Sequence, residues 1–229
     1  MKETHTIIVS DVHLGSPVSR AKDLKETLKE WKFKRLILLG DIFDDMDFNR
    51  LTTDHWDFLS YVRELSNPEN DMEVVWIKGN HDELLAQIAS AFLGIDVHKE
   101  YTWDHAGKKH LAIHGHQFDR FLINNKVMSD IASFLYLMLQ RVDMKKRRLS
   151  RFVKRLSKKW LRLSNKVSLS AIRYGKRKKA DYVFCGHTHL SVEKKMKDIR
   201  YFNSGCWTDI PSTFIEIKDS GKIEIHKVS

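Results

Sequence analysis

Thr6-Ile7-Ile8-Val9-Ser10-Asp11-Val12-His13 decides how this chain is read. Four consecutive β-branched residues make a short apolar run, which reads as a buried strand. Asp11 and His13 then stand just past its end. The pattern recurs four times. Leu36-Ile37-Leu38-Leu39 precedes Gly40-Asp41-Ile42-Phe43-Asp44, and Val74-Val75-Trp76-Ile77 precedes Gly79-Asn80-His81-Asp82. Leu111-Ala112-Ile113 precedes His114-Gly115-His116, and Tyr182-Val183-Phe184 precedes Gly186-His187-Thr188-His189. Sheets covered by helices carry their sites outside strand ends, where all five polar clusters fall. The order of helix and strand signals predicts α/β layers.

The clusters supply carboxylates, imidazoles and one amide, a donor mixture that suits two divalent ions of the manganese, iron or zinc type. Two neighbouring cations need an anion between them, and Asp41 has two oxygens to share. Asp11 and His13 alternate on a strand exit and can reach one ion, with His189 completing that site. Asn80, His114 and His187 would hold the other. A water between such ions has a lowered pKa and can attack phosphorus at neutral pH. His81 follows the ligand Asn80 and is placed to meet substrate, protonating the leaving oxygen or stabilising phosphoryl charge. Asp82 is the candidate to orient that imidazole.

Each cluster alone has an ordinary explanation. Gly-Asn-His-Asp can be a turn before a helix cap, and His-x-His can be two faces of a strand. The five together, in this order, resemble the calcineurin-like metallophosphoesterase superfamily from Asp11 to the Asn203-Ser204-Gly205 turn. The resemblance implies two mixed sheets packed face to face with helices outside, a four-layer αββα sandwich. It implies metal ligands at Asp11, His13, Asp41, Asn80, His114, His187 and His189, with a catalytic histidine at His81. A serine/threonine protein phosphatase is disfavoured, because no Asp-Arg-Gly stands here and Asp82 replaces that group's glutamate.

Length and composition fit one metallophosphoesterase domain over residues 1–229, with a normal apolar content of 42%. Two cysteines make no disulfide framework, which predicts a reducing, cytoplasmic compartment. Cys185 reads as inert core, and Cys206 lacks ligand spacing. No signal peptide opens the sequence, and no apolar run reaches the length of a membrane span.

Charge is distributed unevenly. Residues 120–179 hold 19 Lys and Arg against Asp130 and Asp143, a net of +17, whereas the whole chain is +10 and the remainder therefore −7. This stretch has no proline and one glycine, Gly175, and is predicted to be a helical insertion, or lid. Met128, Ile131, Phe134, Leu135 and Met138 recur at helical steps, as do Leu149, Phe152, Val153, Leu156, Trp160 and Leu163. A hairpin packed on the core with a solvated face explains part of this. One-sided charge beside so much apolar surface points further, to a partner or lipid. Phe134, Leu135 and Trp160 are the candidate apolar contacts; Lys145, Lys146, Arg147 and Arg148 are the candidates for an anionic membrane surface.

His114-Gly115-His116-Gln117-Phe118-Asp119, the basic insertion, and Asn203-Ser204-Gly205-Cys206-Trp207 resemble a narrower group, the bacterial UDP-2,3-diacylglucosamine pyrophosphatases. That implies hydrolysis of a nucleotide-linked lipid to UMP and 2,3-diacylglucosamine 1-phosphate in lipid A synthesis, at the inner face of the inner membrane, with manganese. The best-known branch of that group has arginine where this chain has His81. Two alternatives stand beside it. One is a nucleic-acid or cyclic-nucleotide phosphodiesterase gripping its substrate through the insertion, with steep salt dependence. The other is a binding protein with a vestigial site, against which the complete ligand set argues.

Flanking residues carry lesser roles. Asp44 is expected to support a ligand, His116 to contact phosphate, Asp119 to cap a helix, and Asn203 to bond a metal-bound group or form its turn. His5, His55, His98, His105, His110 and His226 have no motif around them and read as surface or packing residues.

Overall fold

The computed structural model describes residues 1–81, 88, 90, 91, 93–119 and 147–229, with residues 147–159 described by backbone alone. In chain order the elements are β1 (Lys2–Glu3), β2 (Thr6–Val9), α1 (Ala21–Lys29), β3 (Trp31–Lys32), β4 (Arg35–Leu39), α2 (Thr53–Leu65), β5 (Glu73–Ile77), β6 (Val97–His98), β7 (Tyr101–His105) and β8 (Lys108–Ala112). They continue with α3 (Arg147–Arg177), β9 (Tyr182–Cys185), β10 (Val192–Met196), β11 (Ile199–Asn203), β12 (Ser212–Ile217) and β13 (Ile223–Val228).

The five apolar runs form β2, β4, β5, β8 and β9, all ending within a residue or so of the expected point. β8 begins earlier than its apolar run, because Lys108 and Lys109 pair with β7 in an antiparallel hairpin. Hairpin strands need only one buried face, so their ends carry charge without cost to the core.

Two mixed sheets result. One has the order β13-β12-β2-β4-β5-β6 and the other β10-β11-β9-β8-β7. β2, β4, β5 and β6 run parallel in the first, as do β8, β9 and β11 in the second. Alternation along each strand sorts the side chains into layers. Ile8, Ile37, Leu39 and Ile77 meet Ala112, Phe184 and Phe202 between the sheets. Ile7, Val9, Leu36 and Leu38 point outward against Leu24 and Leu28 of α1 and Phe58 and Val62 of α2. Leu111, Val183 and Tyr201 point the other way, against Ala171 and Ile172 of α3. The αββα sandwich follows from this sorting, since strands buried on both faces must be covered on both.

α3 is a single helix of 31 residues. Its packed segment uses Ser164, Val167, Ser168, Ala171 and Ile172, all buried. This patch lies beyond the apolar stripe that the sequence offered, and two of its members are serines. Small side chains let the helix lie close on the sheet, and the Ser168 hydroxyl is satisfied by the Asn165 carbonyl at 2.9 Å. No helix among the described residues is long and apolar enough to cross a membrane.

Candidate metal centre

Strands β2, β4 and β5 of one sheet and β8, β9 and β11 of the other deliver their C-terminal exits to the same edge. The exits of β2 and β4 stay paired past the sheet: Asp11 N–H donates to Gly40 O at 3.0 Å, and His13 N–H to Asp41 O at 3.1 Å. In the other sheet the exits of β8 and β9 stay paired in the same way, Gly186 N–H donating to His114 O at 3.0 Å, and Trp207 N–H donates to Asp11 O at 3.0 Å. These bonds hold the turns in register.

The turns are strained at the residues of interest. Among the described residues, Asp11 (φ 53°), His13 (50°), Asp41 (50°), His187 (67°) and His189 (52°) occupy the left-handed region. Non-glycine residues reach it at a cost, and such strain collects at functional sites. The motif glycines have a related cause. A Cβ on Gly79 would collide with the Asp41 carboxylate, and one on Gly186 would lie 2.5 Å from Asp11 Oδ2. Both carboxylates rest on backbone that has no room for a side chain.

The result is two clusters of donors. Atoms of Asp11, His13 and His189 lie within 4.8 Å of one another, as do atoms of Asp41, His114 and His187. His189 Nε2 is 3.2 Å from Asp11 Oδ1 and 3.3 Å from His13 Nε2. His114 Nε2 is 3.2 Å from Asp41 Oδ2. Asn80 Oδ1 is buried and has no hydrogen-bond partner among the described residues. An orphaned buried amide oxygen and imidazole nitrogens facing one another are unfavourable in a dry protein, whereas a divalent cation satisfies both. The donor set therefore fits two such ions.

Supporting contacts fix the rings. His114 Nδ1–H donates to Leu39 O at 2.8 Å, which leaves Nε2 to face Asp41. His13 Nδ1 lies 3.2 Å from Asp44 Oδ1, and Arg50 Nη2 holds the other Asp44 oxygen at 2.8 Å. Asp44 thus stands behind His13. His81 N–H donates to Asp41 Oδ1 at 3.0 Å, and its Nδ1–H donates to Asp44 O at 2.7 Å. Asp82 lies outside the described residues; among those described, the Asp44 carbonyl orients the His81 ring. His116 sits beside the cluster, its ring 5.4 Å from that of His114. Asn203 gives its amide to Gly186 O at 2.6 Å and accepts from Gly205 N–H at 2.9 Å, so it braces the turn carrying His187 and His189 from beneath.

Three contacts were not foreseen from the sequence. Asp119 Oδ2 is 3.2 Å from His187 Nε2; the helix it is expected to cap lies outside the described residues. Ser10 Oγ bonds the Asp11 carboxylate and lies 2.6 Å from Ser204 Oγ. Trp160 of α3 donates Nε1–H to Thr188 O at 2.8 Å, and its ring meets that of His189 edge-on at 6.4 Å. Ser10 and Asp119 stood inside the quoted motifs, but which group each would touch depends on distant chain. Phe134, Leu135, Lys145 and Lys146 lie outside the described residues; Arg147 and Arg148 begin α3.

Burial raises the carboxyls of Asp11 and Asp41, yet the histidines beside them win. His189 holds Asp11 below its ordinary value, and His114 with His81 holds Asp41 well below. Burial lowers His114, but the adjacent Asp41 carboxylate lifts it from 6.5 to about 9. Burial dominates at His187 and pushes it down. Without metal, His114 therefore keeps its proton until the pH passes about 9. That proton stabilises the metal-free fold fully below 6.5, and its contribution is lost as the pH rises through 9. A metal ion must displace it, so affinity is expected to rise with pH across this window while metal-free stability falls. Calorimetry at neutral pH in buffers of different ionisation enthalpy should find proton release on metal uptake. Uptake with no proton release would contradict the His114–Asp41 pairing.

Residues 5–215 match the calcineurin-like phosphoesterase superfamily domain. No curated protein matches the chain. Among solved structures, an archaeal phosphodiesterase is similar with a TM-score of 0.54 at 14% identity, covering 97% of this chain and 99% of that one. Yfce, a phosphoesterase from E. coli, gives 0.53 at 14% identity over 98% and 99%. Vacuolar protein sorting 29 from Cryptosporidium parvum gives 0.52 at 12% identity over 97% and 95%. At these identities the likeness is one of fold. The family match spans nearly the whole chain and covers all seven candidate ligands, and so this chain belongs to the calcineurin-like phosphoesterase superfamily, as a metal-dependent hydrolase with a two-metal centre.

Proposed function

We propose that this phosphoesterase cleaves the pyrophosphate bond of a nucleotide-linked lipid, UDP-2,3-diacylglucosamine, giving UMP and 2,3-diacylglucosamine 1-phosphate, with manganese as its metal. Trp160 carries the reading. Its indole is hydrogen-bonded to the carbonyl between His187 and His189 and is still 46% exposed. An amphipathic basic helix thus borders the site, and a substrate that reaches the ligands meets α3 on the way. Apolar residues of residues 120–179 suit acyl chains, and the excess of Lys and Arg suits anionic headgroups at the inner face of a bacterial membrane.

When bound, the two ions supply positive charge against the phosphoryl oxygens and a water acidic enough to attack at neutral pH. The chain's own residues do the rest. Asp11, Asp41 and their histidines fix the donors, so nothing reorganises as charge develops. His81 is raised above its ordinary value: burial lowers it, and the Asp41 carboxylate overcomes that. With Nδ1–H committed to Asp44 O, the proton on Nε2 is the one available to the leaving phosphate oxygen as the P–O bond breaks.

Cleavage of nucleic acid is the second reading, favoured by the +17 of residues 120–179. A substrate panel with added manganese separates the two: UDP-2,3-diacylglucosamine, bis-p-nitrophenyl phosphate, cyclic nucleotides and single-stranded DNA. Polar replacements at Phe134 and Leu135, and Trp160→Ala, are expected to weaken hydrolysis of the diacyl substrate and spare the small diester. Neutralising Lys145, Lys146, Arg147 and Arg148 should weaken binding to anionic liposomes by about 1 kcal/mol per charge and flatten its salt dependence. Folded variants that lose both substrates equally would make the helix structural. Tight DNA binding with indifference to anionic liposomes would move the assignment to nucleic acid.

A further inference from the structure

Asp119 has no place in the ligand set, yet its carboxylate is buried, at 2% exposure. A carboxylate taken out of water to this degree needs compensation from hydrogen bonds or charge. The local chain is shaped to deliver it. Gly115 adopts φ 112°, and a 3-10 turn at His116–Phe118 follows. Asp119 N–H closes that turn on His116 O at 3.0 Å. Phe118 packs on Tyr174 of α3 with ring centroids 5.7 Å apart, so the helix holds the turn down. Asp119 Oδ2 then stands 3.2 Å from His187 Nε2.

Among the described residues the His187 ring has no other hydrogen bond, only edge contacts with the rings of His114 and His116. His187 follows Gly186, sits at φ 67°, and is tied at its backbone, where its N–H donates to Asp11 Oδ2 at 3.0 Å. None of this sets the rotation of its ring. His114 has a fixed acceptor on one nitrogen, Leu39 O, and His13 Nδ1 faces the Asp44 carboxylate at 3.2 Å. Metal-binding histidines usually donate their second N–H to such a group, which selects the tautomer and raises basicity. A carboxylate can only accept, so His187 carries its proton on Nε2 and offers the lone pair of Nδ1.

We infer that Asp119 is the positioning carboxylate of His187: it selects the tautomer that presents Nδ1 to the ion shared with Asn80 and His114. The inference rests on the two-metal reading. Two measurements test it. In metal-free protein, nitrogen-15 NMR of the histidine rings should find the His187 proton on Nε2 in the wild type and in Asp119→Asn, which keeps an acceptor oxygen, but a mixture of tautomers in Asp119→Ala. By titration calorimetry, Asp119→Ala should bind one of two manganese ions about 10- to 100-fold more weakly, with the other unchanged, and Asp119→Asn should recover most of the loss. A purely structural role would instead lower the melting temperature of the metal-free protein and weaken both ions together. The assignment fails if Asp119→Ala keeps the wild-type tautomer and both affinities. It fails equally if Asp119→Asn loses as much as Asp119→Ala, since the carboxylate would then act by its charge on the ion. A wild type that takes up no pair of ions overturns the two-metal reading itself, in a result to which the variants contribute nothing.

Discussion

Asp41→Asn is expected to lose most of its bound metal and nearly all turnover. The side chain is buried between two partners, with Oδ2 3.2 Å from His114 Nε2 and Oδ1 accepting from His81 N–H at 3.0 Å. Its negative charge is the reason His114 is lifted to about 9. An asparagine keeps the shape but removes the anion that offsets two neighbouring cations. It also turns two N–H donors into a site that already has donors on both sides. Breaking one partner out of a buried charged pair costs about 3–5 kcal/mol, so a melting curve of the metal-free variant must accompany the assay. Elemental analysis settles the outcome. A folded variant that retains both ions and full activity would remove Asp41 from the centre.

His81→Ala is expected to keep its metal and lose roughly 10²–10⁴-fold in turnover, the usual worth of a general acid. A competing role has geometric support, because atoms of His13, Asp44 and His81 also lie within 4.8 Å of one another. Leaving groups discriminate the two. If His81 delivers a proton, the loss should be large for an alkyl ester and small for p-nitrophenyl phosphate esters, whose leaving oxygen needs none. If His81 holds metal, both substrates fall together and extra manganese restores both. The second pattern would reassign His81.

Much of the site was legible because its parts are local. A run such as Thr6-Ile7-Ile8-Val9 announces a strand buried on both faces, and whatever follows it must emerge at the sheet's edge. β10 had no such signal. Its burial alternates along Val-Glu-Lys-Lys-Met at the sheet's margin, where charge protects an exposed edge. His55, expected to be a surface or packing residue, accepts at Nδ1 from Thr52 N–H at 3.1 Å and Gly15 N–H at 3.2 Å, at the start of α2. His110 is likewise a packing residue, stacked on Trp103 and lowered to about 4 by burial.

By itself the sequence determined which side chains could serve as ligands, the strands that carry them, and the helical, basic character of α3. Periodicity and residue chemistry act over a few positions, so they can be read without coordinates. The tertiary structure alone decided the partners. Asp119 meets His187, which is 68 positions away; Trp160 meets Thr188; and Ser10 meets Ser204, 194 positions away. Of these contacts only Ser10–Ser204 bridges the two sheets; Asp119 and His187 leave neighbouring strands of one sheet, and Trp160 reaches Thr188 from the helix packed on that sheet's outer face. The lift of His114 by Asp41 depends on the closure of the two sheets and on the loss of water it brings, whereas α3 reaches the rim by packing on the outer face of one of them.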